Sequence, residues 1–509
     1  SMTLARTLMA ALAASLPAAA ATYDEAALTA DLARFADGSA SALKPQVKAG
    51  DLPSFRTELL RGVAEALLAG KYDAAYRVAD YAAYPSPAEL GKTLKLGDGF
   101  SRYEGITGIY LEAGPQPVLV GPTAGRKLAL LIPDWMRKPA EGVEPTKDPN
   151  GWGLKRQVAD LHEGVNLVDV KQAGLAYISY YDDQAETAPK IRVHFPTGRV
   201  NGYFDGTKQT NDDWNRLLDH AVAPVLDAVG QHIQVAYPVE WFNVHTRGRG
   251  VELIRNYDTL LNHHFTLLGL VKYHKVPKNH ILARVNHNYY MFRDGDGVAY
   301  LGTKNVMGMV ANPDTVIKGD PCWGFSHETG HVLQMRPQMT WGGMTEVSCN
   351  LFSLYTGGKM GNESRLKHQG NYAAARQKII DAGISYLQCP DVFDRLVPFW
   401  QLQLYAERHG KPDFYPDLME ALRNQPEAGH GNDSIRCQFE FAKLACDGLG
   451  LDLTDFFSKW GFFWVGQMDL NDYAKYHFEV TQAMVDECRA AIAARGLPRP
   501  TEDLTLIEE

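Results

Sequence analysis

Two histidines and two glutamates in this chain are spaced so that they could hold and use a metal ion. His327-Glu328-Thr329-Gly330-His331 sets two imidazoles four residues apart, and Glu346 follows fifteen residues after the second. On a helix, positions i and i+4 lie on one face. His327 and His331 can therefore both reach one Zn²⁺, while Glu328, one residue round, stands where a general base would. With Glu346 as third ligand the fourth position stays open, which is the pattern of a catalytic zinc and not of a structural one. A buried helix with two satisfied histidines would leave the carboxylate between them without a role.

The flanking residues must present these groups. Trp323-Gly324-Phe325-Ser326 leads in, and Val332, Leu333 and Met335 continue an apolar helix that Pro337 should stop near Arg336. Thr340-Trp341-Gly342-Gly343 reads as a turn, and a second helix is expected over 345–356, ended by Gly357-Gly358. Glu346 and Asn350 share one face of it. A helix, a tight reversal and a second helix carrying an acid is the layout that closes a His-His-Glu site. Gly330 costs about 1 kcal/mol of helix propensity relative to Ala, so something should pack against it, and the second helix is the natural candidate.

These segments resemble the enhancin/mucinase metallopeptidases, gluzincins with a glycine before the second histidine and a downstream glutamate ligand. The resemblance is carried by 323–334, Trp341 and Glu346-Val347-Ser348-Cys349-Asn350. It extends to Tyr257-Asp258, Asn288-Tyr289-Tyr290-Met291-Phe292, Pro398-Phe399-Trp400-Gln401 and 452–462, so it covers roughly residues 95–465. It implies a zinc endopeptidase that cuts O-glycosylated proteins such as mucins just before a glycosylated Ser or Thr. The expected ligands are His327, His331 and Glu346, with Glu328 as base. Two alternatives stay open: a zinc endopeptidase indifferent to glycans, and a carbohydrate-binding adhesin with a non-catalytic metal site. The intact Glu328 argues against the adhesin.

The other site residues follow from where their segments should lie. Tyr290, with Tyr289 and His287 beside it, is the choice for stabilising the oxyanion. Trp152, between Gly151 and Gly153, reads as an exposed loop aromatic for stacking on sugar. Phe292, Trp341, Arg293 and Asp294 belong to segments that should approach the cleft, and Arg365 could fork onto hydroxyls. Asn350 is either a donor to substrate backbone or a helix-packing amide. Asp294-Gly295-Asp296-Gly297 lacks the downstream glutamate of a calcium loop and reads as a turn.

At 509 residues, 45% hydrophobic and 22% charged, the chain has the balance of a soluble globular protein with several domains, of α+β class. The net charge of −9 and the lack of a basic cluster exclude nucleic acid as a partner. Mild acidity would not help hold a sialylated, anionic substrate, so recognition should rest on a local pocket. Residues 1–21 read either as a secretory signal or as an N-terminal helix, too short for a membrane span. A helical N-terminal domain is expected over 22–92, a β-sandwich subdomain over 93–205, a mainly helical zincin catalytic domain over 206–395 and a helical C-terminal region over 396–509. The six cysteines permit three disulfides or stay as free buried thiols. The expected setting is a monomer that is secreted, on the cell surface or periplasmic.

Overall fold

Short β-branched runs separated by glycine and proline dictate strands in the first part of the chain. The computed structural model describes residues 21–509; the reading of 1–21 as signal or helix lies, but for residue 21, outside the described residues. The strands form two sheets. One has the order β1 (Val78–Tyr81), β8 (Ile191–His194), β3 (Gly114–Val120), β6 (Gly164–Val170). The other has the order β5 (Arg156–Leu161), β4 (Leu128–Pro133), β7 (Gly174–Ser179), β2 (Gly105–Leu111), β9 (Arg199–Val200). Ile109, Leu130 and Ile178 of one sheet share a buried core with Val118, Val168 and Val193 of the other. The N-terminal segment departs from the all-helical expectation. α1 (Glu25–Leu32) and α2 (Glu58–Leu68) are helical, but β1 pairs antiparallel with β8 from Val78↔His194 to Tyr81↔Ile191. Four residues are too few for a period to register in the sequence.

A mixed sheet follows, in the order β10 (Phe204–Asp205), β11 (Val225–Val229), β12 (Ile233–Pro238), β13 (Ile281–Asn286), β15 (Gly297–Leu301), β14 (Met291–Asp294). β12, β13 and β15 run parallel, and β14 is an edge strand antiparallel to β15. Pairing groups on such an edge are free to take up an extended chain. The run over 281–294 forms two strands, not one. Asn286 Oδ1 accepts the backbone N–H groups of Asn288 at 2.8 Å and Tyr289 at 3.0 Å, which turns the chain between β13 and β14.

The helices that matter to the site are α3 (Gly250–Leu267), α4 (Gly319–Leu333), α5 (Thr345–Lys359) and α6 (Val392–Arg408). They pack around Tyr257, Leu260, Phe325, Leu351, Phe352 and Phe399 in the largest core. Beyond α6 the chain is mainly helical, except for a hairpin of β16 (Gly466–Asn471) and β17 (Lys475–Val480). Only Met468, Phe478 and Val480 of that hairpin are buried, so its alternation is nearly invisible in a polar sequence. All six cysteines are free, buried thiols, so the disulfide alternative is not what the fold contains.

A polar chain ties the sandwich to the mixed sheet. Trp135 Nε1 donates to the Tyr177 hydroxyl at 2.9 Å, which donates to Asp227 at 2.6 Å. The other Asp227 oxygen is buried without a partner. Burial pushes the Asp227 carboxyl up to about 7, against the hydrogen bond from Tyr177. Its folded pKa is thus above the unfolded one. The stability it contributes is fully present below about pH 4 and is lost as pH rises through about 7, a few kcal/mol at most. Asp227→Asn should flatten that part of the pH profile and raise the melting temperature at pH 8 relative to the parent. An equal slope in both proteins between pH 4 and 8 would refute the assignment.

Candidate metal centre

α4 carries the histidine motif between β14–β15 on one side and α5 on the other. The approach of α5 depends on Gly330. A Cβ there would stand 2.7 Å from the carbonyl oxygen of Cys349 and 3.1 Å from the Phe352 ring. The second helix is therefore what packs against this glycine. Gly330→Ala should overpack the contact, cost about 1–3 kcal/mol, and push Glu346 away from the histidines. A lower melting temperature together with weaker metal uptake would be measured; unchanged uptake would mean that the helices can part without disturbing the site. α4 ends at Leu333, short of the expected Arg336, because Gln334 is extended with φ −56° and ψ 133°. α5 runs on through Gly357-Gly358 to Lys359.

His327 Nε2 and His331 Nε2 lie 3.1 Å apart, and the Glu346 carboxylate is 3.1 Å from the first and 3.2 Å from the second. Ligand atoms about 2.0–2.1 Å from a tetrahedral ion stand about 3.3 Å from one another. The three side chains thus form one face of such a tetrahedron. Cys349 belongs to the same cluster, its Sγ 3.5 Å from His327 Nδ1 and 4.0 Å from His327 Nε2.

Both imidazoles are held with Nε2 free to ligate. His327 Nδ1 donates to Asn350 Oδ1 at 2.7 Å, and Asn350 Nδ2 in turn donates to the Glu346 carbonyl at 3.0 Å. His331 Nδ1 donates to Gln334 Oε1 at 2.8 Å, while Gln334 Nε2 donates to the Thr345 carbonyl at 2.7 Å and to Ser348 at 2.8 Å. Each amide's orientation is set by its second bond, so each ring's Nδ1 carries the proton. Sequence reasoning missed a third support. The Thr329 hydroxyl donates to the Phe325 carbonyl at 2.7 Å, so it must accept from His264 Nε2 at 2.8 Å; His264 Nδ1 then accepts from Thr356 at 2.6 Å. Burial lowers His264 to about 3 and keeps it neutral. This residue of α3 clamps α4 to α5.

Burial alone would disfavour a charged His327, but Cys349, Glu346 and Glu328 outweigh it and hold the ring up at about 12. His331 is held at about 10 against burial by Cys349 and Glu346. Glu346 lies well below the usual carboxylate range, since bonds from both histidines and from Tyr473 overcome its burial. The surroundings therefore favour positive charge, yet two imidazoliums 3.1 Å apart would repel. One divalent cation meets that demand better than two protons. Glu328 is buried, 3.8 Å from His327 Nε2. Burial raises its pKa while the two histidines pull it back, which suits a group that must take and return a proton.

The triad opens into a cleft of about 1430 Å³, larger than the roughly 300–1,000 Å³ of an ordinary small-molecule pocket. Trp152 stacks on Tyr289 with ring centres 4.9 Å apart and tilts against Phe292 at 5.4 Å. Arg365 lies 4.3 Å over Trp323 and pairs with Asp320 at 2.9 Å. All of these line the same cleft as His327, Glu328, His331 and Glu346.

Two expected substrate contacts are corrected. Trp341 is 0% exposed, donates to Tyr386 at 2.9 Å and packs on Phe399 and Phe441, so it is a core residue. Asn350 is 1% exposed and spends its amide on His327 and the Glu346 carbonyl, so it orients a ligand and has no group left for substrate. Tyr290 lines the cleft, but its hydroxyl donates to Met309 Sδ at 3.4 Å. His287 is turned to the Arg137 carbonyl at 3.2 Å.

The hydroxyl at the triad is that of Tyr473, which donates to Glu346 at 2.6 Å from the tip of the β16–β17 hairpin. Asp472 pins that tip by accepting from the backbone N–H of Gly343 and from both the N–H and the hydroxyl of Thr345. The signal available in the sequence was the Asn471-Asp472 pair, a turn former between two weakly alternating runs.

Comparison with known proteins places this geometry. A metallopeptidase from Bacteroides thetaiotaomicron is 26% identical with a TM-score of 0.82, over 97% of this chain and 83% of that one. A metallopeptidase in complex with Tn antigen is 27% identical with a TM-score of 0.74, over 86% of this chain and 81% of that one. TRPM8 channel-associated factor 3 of Rattus norvegicus is 23% identical over 274 residues, 53% of this chain but only 28% of that protein. Residues 200–461, just over half the chain and including all of α4 and α5, match the family described as Peptidase M60, enhancin and enhancin-like, and the chain belongs to that metallopeptidase family.

Proposed function

We propose that this protein is a zinc endopeptidase that cleaves mucin-type O-glycosylated proteins at the peptide bond before a glycosylated Ser or Thr. The observation that carries the reading is the aromatic wall of Trp152, Tyr289 and Phe292 in the same cleft as the triad. Flat aromatic faces suit the apolar faces of sugars, and the exposed edge of β14 suits an extended peptide. The similar metallopeptidase in complex with Tn antigen supports a glycan as part of the substrate. In this reading the mixed sheet with α4 and α5 is a gluzincin catalytic domain over 206–395, and the sandwich over 93–205 is its accessory subdomain. Such substrates imply work outside the cell, at its surface or in the periplasm, as a monomer. Among the described residues no helix is long and apolar enough to cross a membrane.

His327, His331 and Glu346 would hold the zinc, which when bound would lower the pKa of a water to about 7 and polarise the scissile carbonyl. Glu328 takes the proton of the attacking water and delivers it to the leaving amine. Tyr473 takes over the oxyanion role first considered for Tyr290. Its hydroxyl already stands at the triad, and its backbone has φ 59°, an uncommon conformation for a non-glycine residue. Tyr473→Phe should lower kcat of the zinc-saturated protein by about 10²-fold with KM little changed, and, through the lost bond to Glu346, weaken zinc affinity by up to about 10–100-fold. An unaltered kcat would remove Tyr473 from the mechanism.

The reading is tested by incubating the zinc-loaded protein with a mucin-type glycoprotein, intact and stripped of O-glycans, and mapping fragments by mass spectrometry. Cuts only in the intact form, before modified Ser or Thr, are expected. Cuts in both forms would make it a glycan-independent endopeptidase, and cuts in neither would favour the adhesin.

A further inference from the structure

The cleft has a second, chemically different wall. Arg293, on β14, and Arg336, just past α4, both line it. Their guanidinium groups meet across one loop. A Cβ on Gly97 would stand 3.0 Å from Arg293 Nη2 and 3.2 Å from Arg336 Nε. Both Nε atoms are buried without a hydrogen-bond partner. Among the described residues the Arg293 side chain forms no hydrogen bond or ion pair, its backbone alone being tied to β15. Arg336 has only the His331 carbonyl at 3.0 Å and a long contact to Gln334 at 3.5 Å.

Other shielded arginines of this chain are satisfied, either by carboxylates, as Arg284 by Asp294, Arg137 by Asp148 and Arg423 by Glu420, or by backbone carbonyls, as Arg77 and Arg395 are. The acids nearest the Arg293–Arg336 pair are engaged elsewhere. Asp98 pairs with Arg102, Asp294 with Arg284, and one oxygen of Asp472 already accepts three hydrogen bonds from Gly343 and Thr345. Two like charges are thus held together, partly desolvated, with no counter-ion supplied by the protein. This runs against a net charge of −9 for the whole chain.

We propose that the Arg293–Arg336 corner binds an anionic group of the substrate, a carboxylate or sulfate, and so makes the protein selective for acidic glycopeptides. Guanidinium forks match such planar or tetrahedral oxyanions and lose little hydration in doing so. The anion could be carried by an acidic side chain of the peptide or by an acidic sugar on the glycan. The corner adjoins the aromatic wall on β14, where Arg293 follows Phe292, and both line the cleft. Arg293 and Val332, beyond the second histidine, both flank Gly99, whereas Met291 faces Gly324, ahead of the first. One substrate could therefore place a sugar on the aromatic wall and an anion on the arginines.

This inference rests on the peptidase reading of the cleft, and its test separates the two. Fluorescently labelled O-glycopeptides would be prepared in three forms: neutral, with glutamate scanned along the peptide, and with a sialylated glycan on a neutral peptide. Cleavage by the parent protein should favour one acidic form over the neutral one by about tenfold or more in kcat/KM. Preference in the glutamate scan assigns the anion to the peptide; preference for the sialylated form assigns it to the glycan. In Arg293→Gln the ratio should fall to about one, with zinc content and melting temperature showing that the fold is intact. If no peptide is cut, the peptidase reading fails, and anisotropy binding of the same peptides to the Glu328→Gln protein still tests the corner. Equal handling of acidic and neutral forms by the parent, or a preference that survives Arg293→Gln, would overturn the proposal.

Discussion

Glu328→Gln is expected to lower peptide cleavage by about 10²–10⁴-fold while zinc content, fold and glycopeptide binding stay as they are. The substitution is nearly isosteric, so packing around this buried side chain is preserved. What it removes is the ability to take a proton. Glu328 is not one of the three groups whose atoms face one another at 3.1–3.2 Å, so the ligand set survives. Burial raises its pKa and the two histidines lower it, which leaves a group able both to accept and to give up a proton. Single-turnover cleavage and zinc per chain would be measured on the same sample. Full activity in the zinc-loaded variant would exclude Glu328 as the base.

Glu346→Ala should have the other large effect, on metal content. Loss of an outer partner of a metal-binding histidine typically costs about 10–100-fold in affinity, and loss of a ligand should exceed that. Asn350→Ala, which frees His327 Nδ1 and the Glu346 carbonyl but removes none of the three facing groups, supplies the internal comparison. The expected order of zinc retained after dialysis against a weak chelator is parent, then Asn350→Ala, then Glu346→Ala with essentially none. Peptidase activity should follow the same order and return with added zinc for Asn350→Ala alone. Retention of one zinc by Glu346→Ala would mean that another group, Cys349 first of all, can serve as ligand.

The candidate metal centre was legible in the sequence because helical spacing is short-range information. His327 and His331 need only one turn of helix, and Glu346 needs only a reversal between two helices. Gly330 could be read too, since a helical glycine asks for a close neighbour. Five of the sandwich strands, β2, β3, β4, β7 and β8, were legible as β-prone runs, whereas β1, β5, β6 and β9 were not. What escaped depends on distant pairs. Asn350 and Gln334 became supports of the histidines only when the rings turned toward them. His264 is one of 16 histidines, and nothing local marks it as the clamp on Thr329 and Thr356. Trp341 was misplaced because an aromatic beside a site looks the same in sequence whether it faces the cleft or the core. Tyr473 lies on a hairpin whose strands bury too few residues to show a period.

The placing of Tyr473 also bears on the timing of synthesis. It acts on Glu346 from 127 positions further along the chain. Ribosomes deliver the chain from its N-terminus, so α4 and α5 emerge well before the hairpin tip exists. A nascent chain could then present the three metal-binding groups while still lacking the hydroxyl that completes the site. On the proposed mechanism, full cleavage would wait until the β16–β17 hairpin closes over the start of α5.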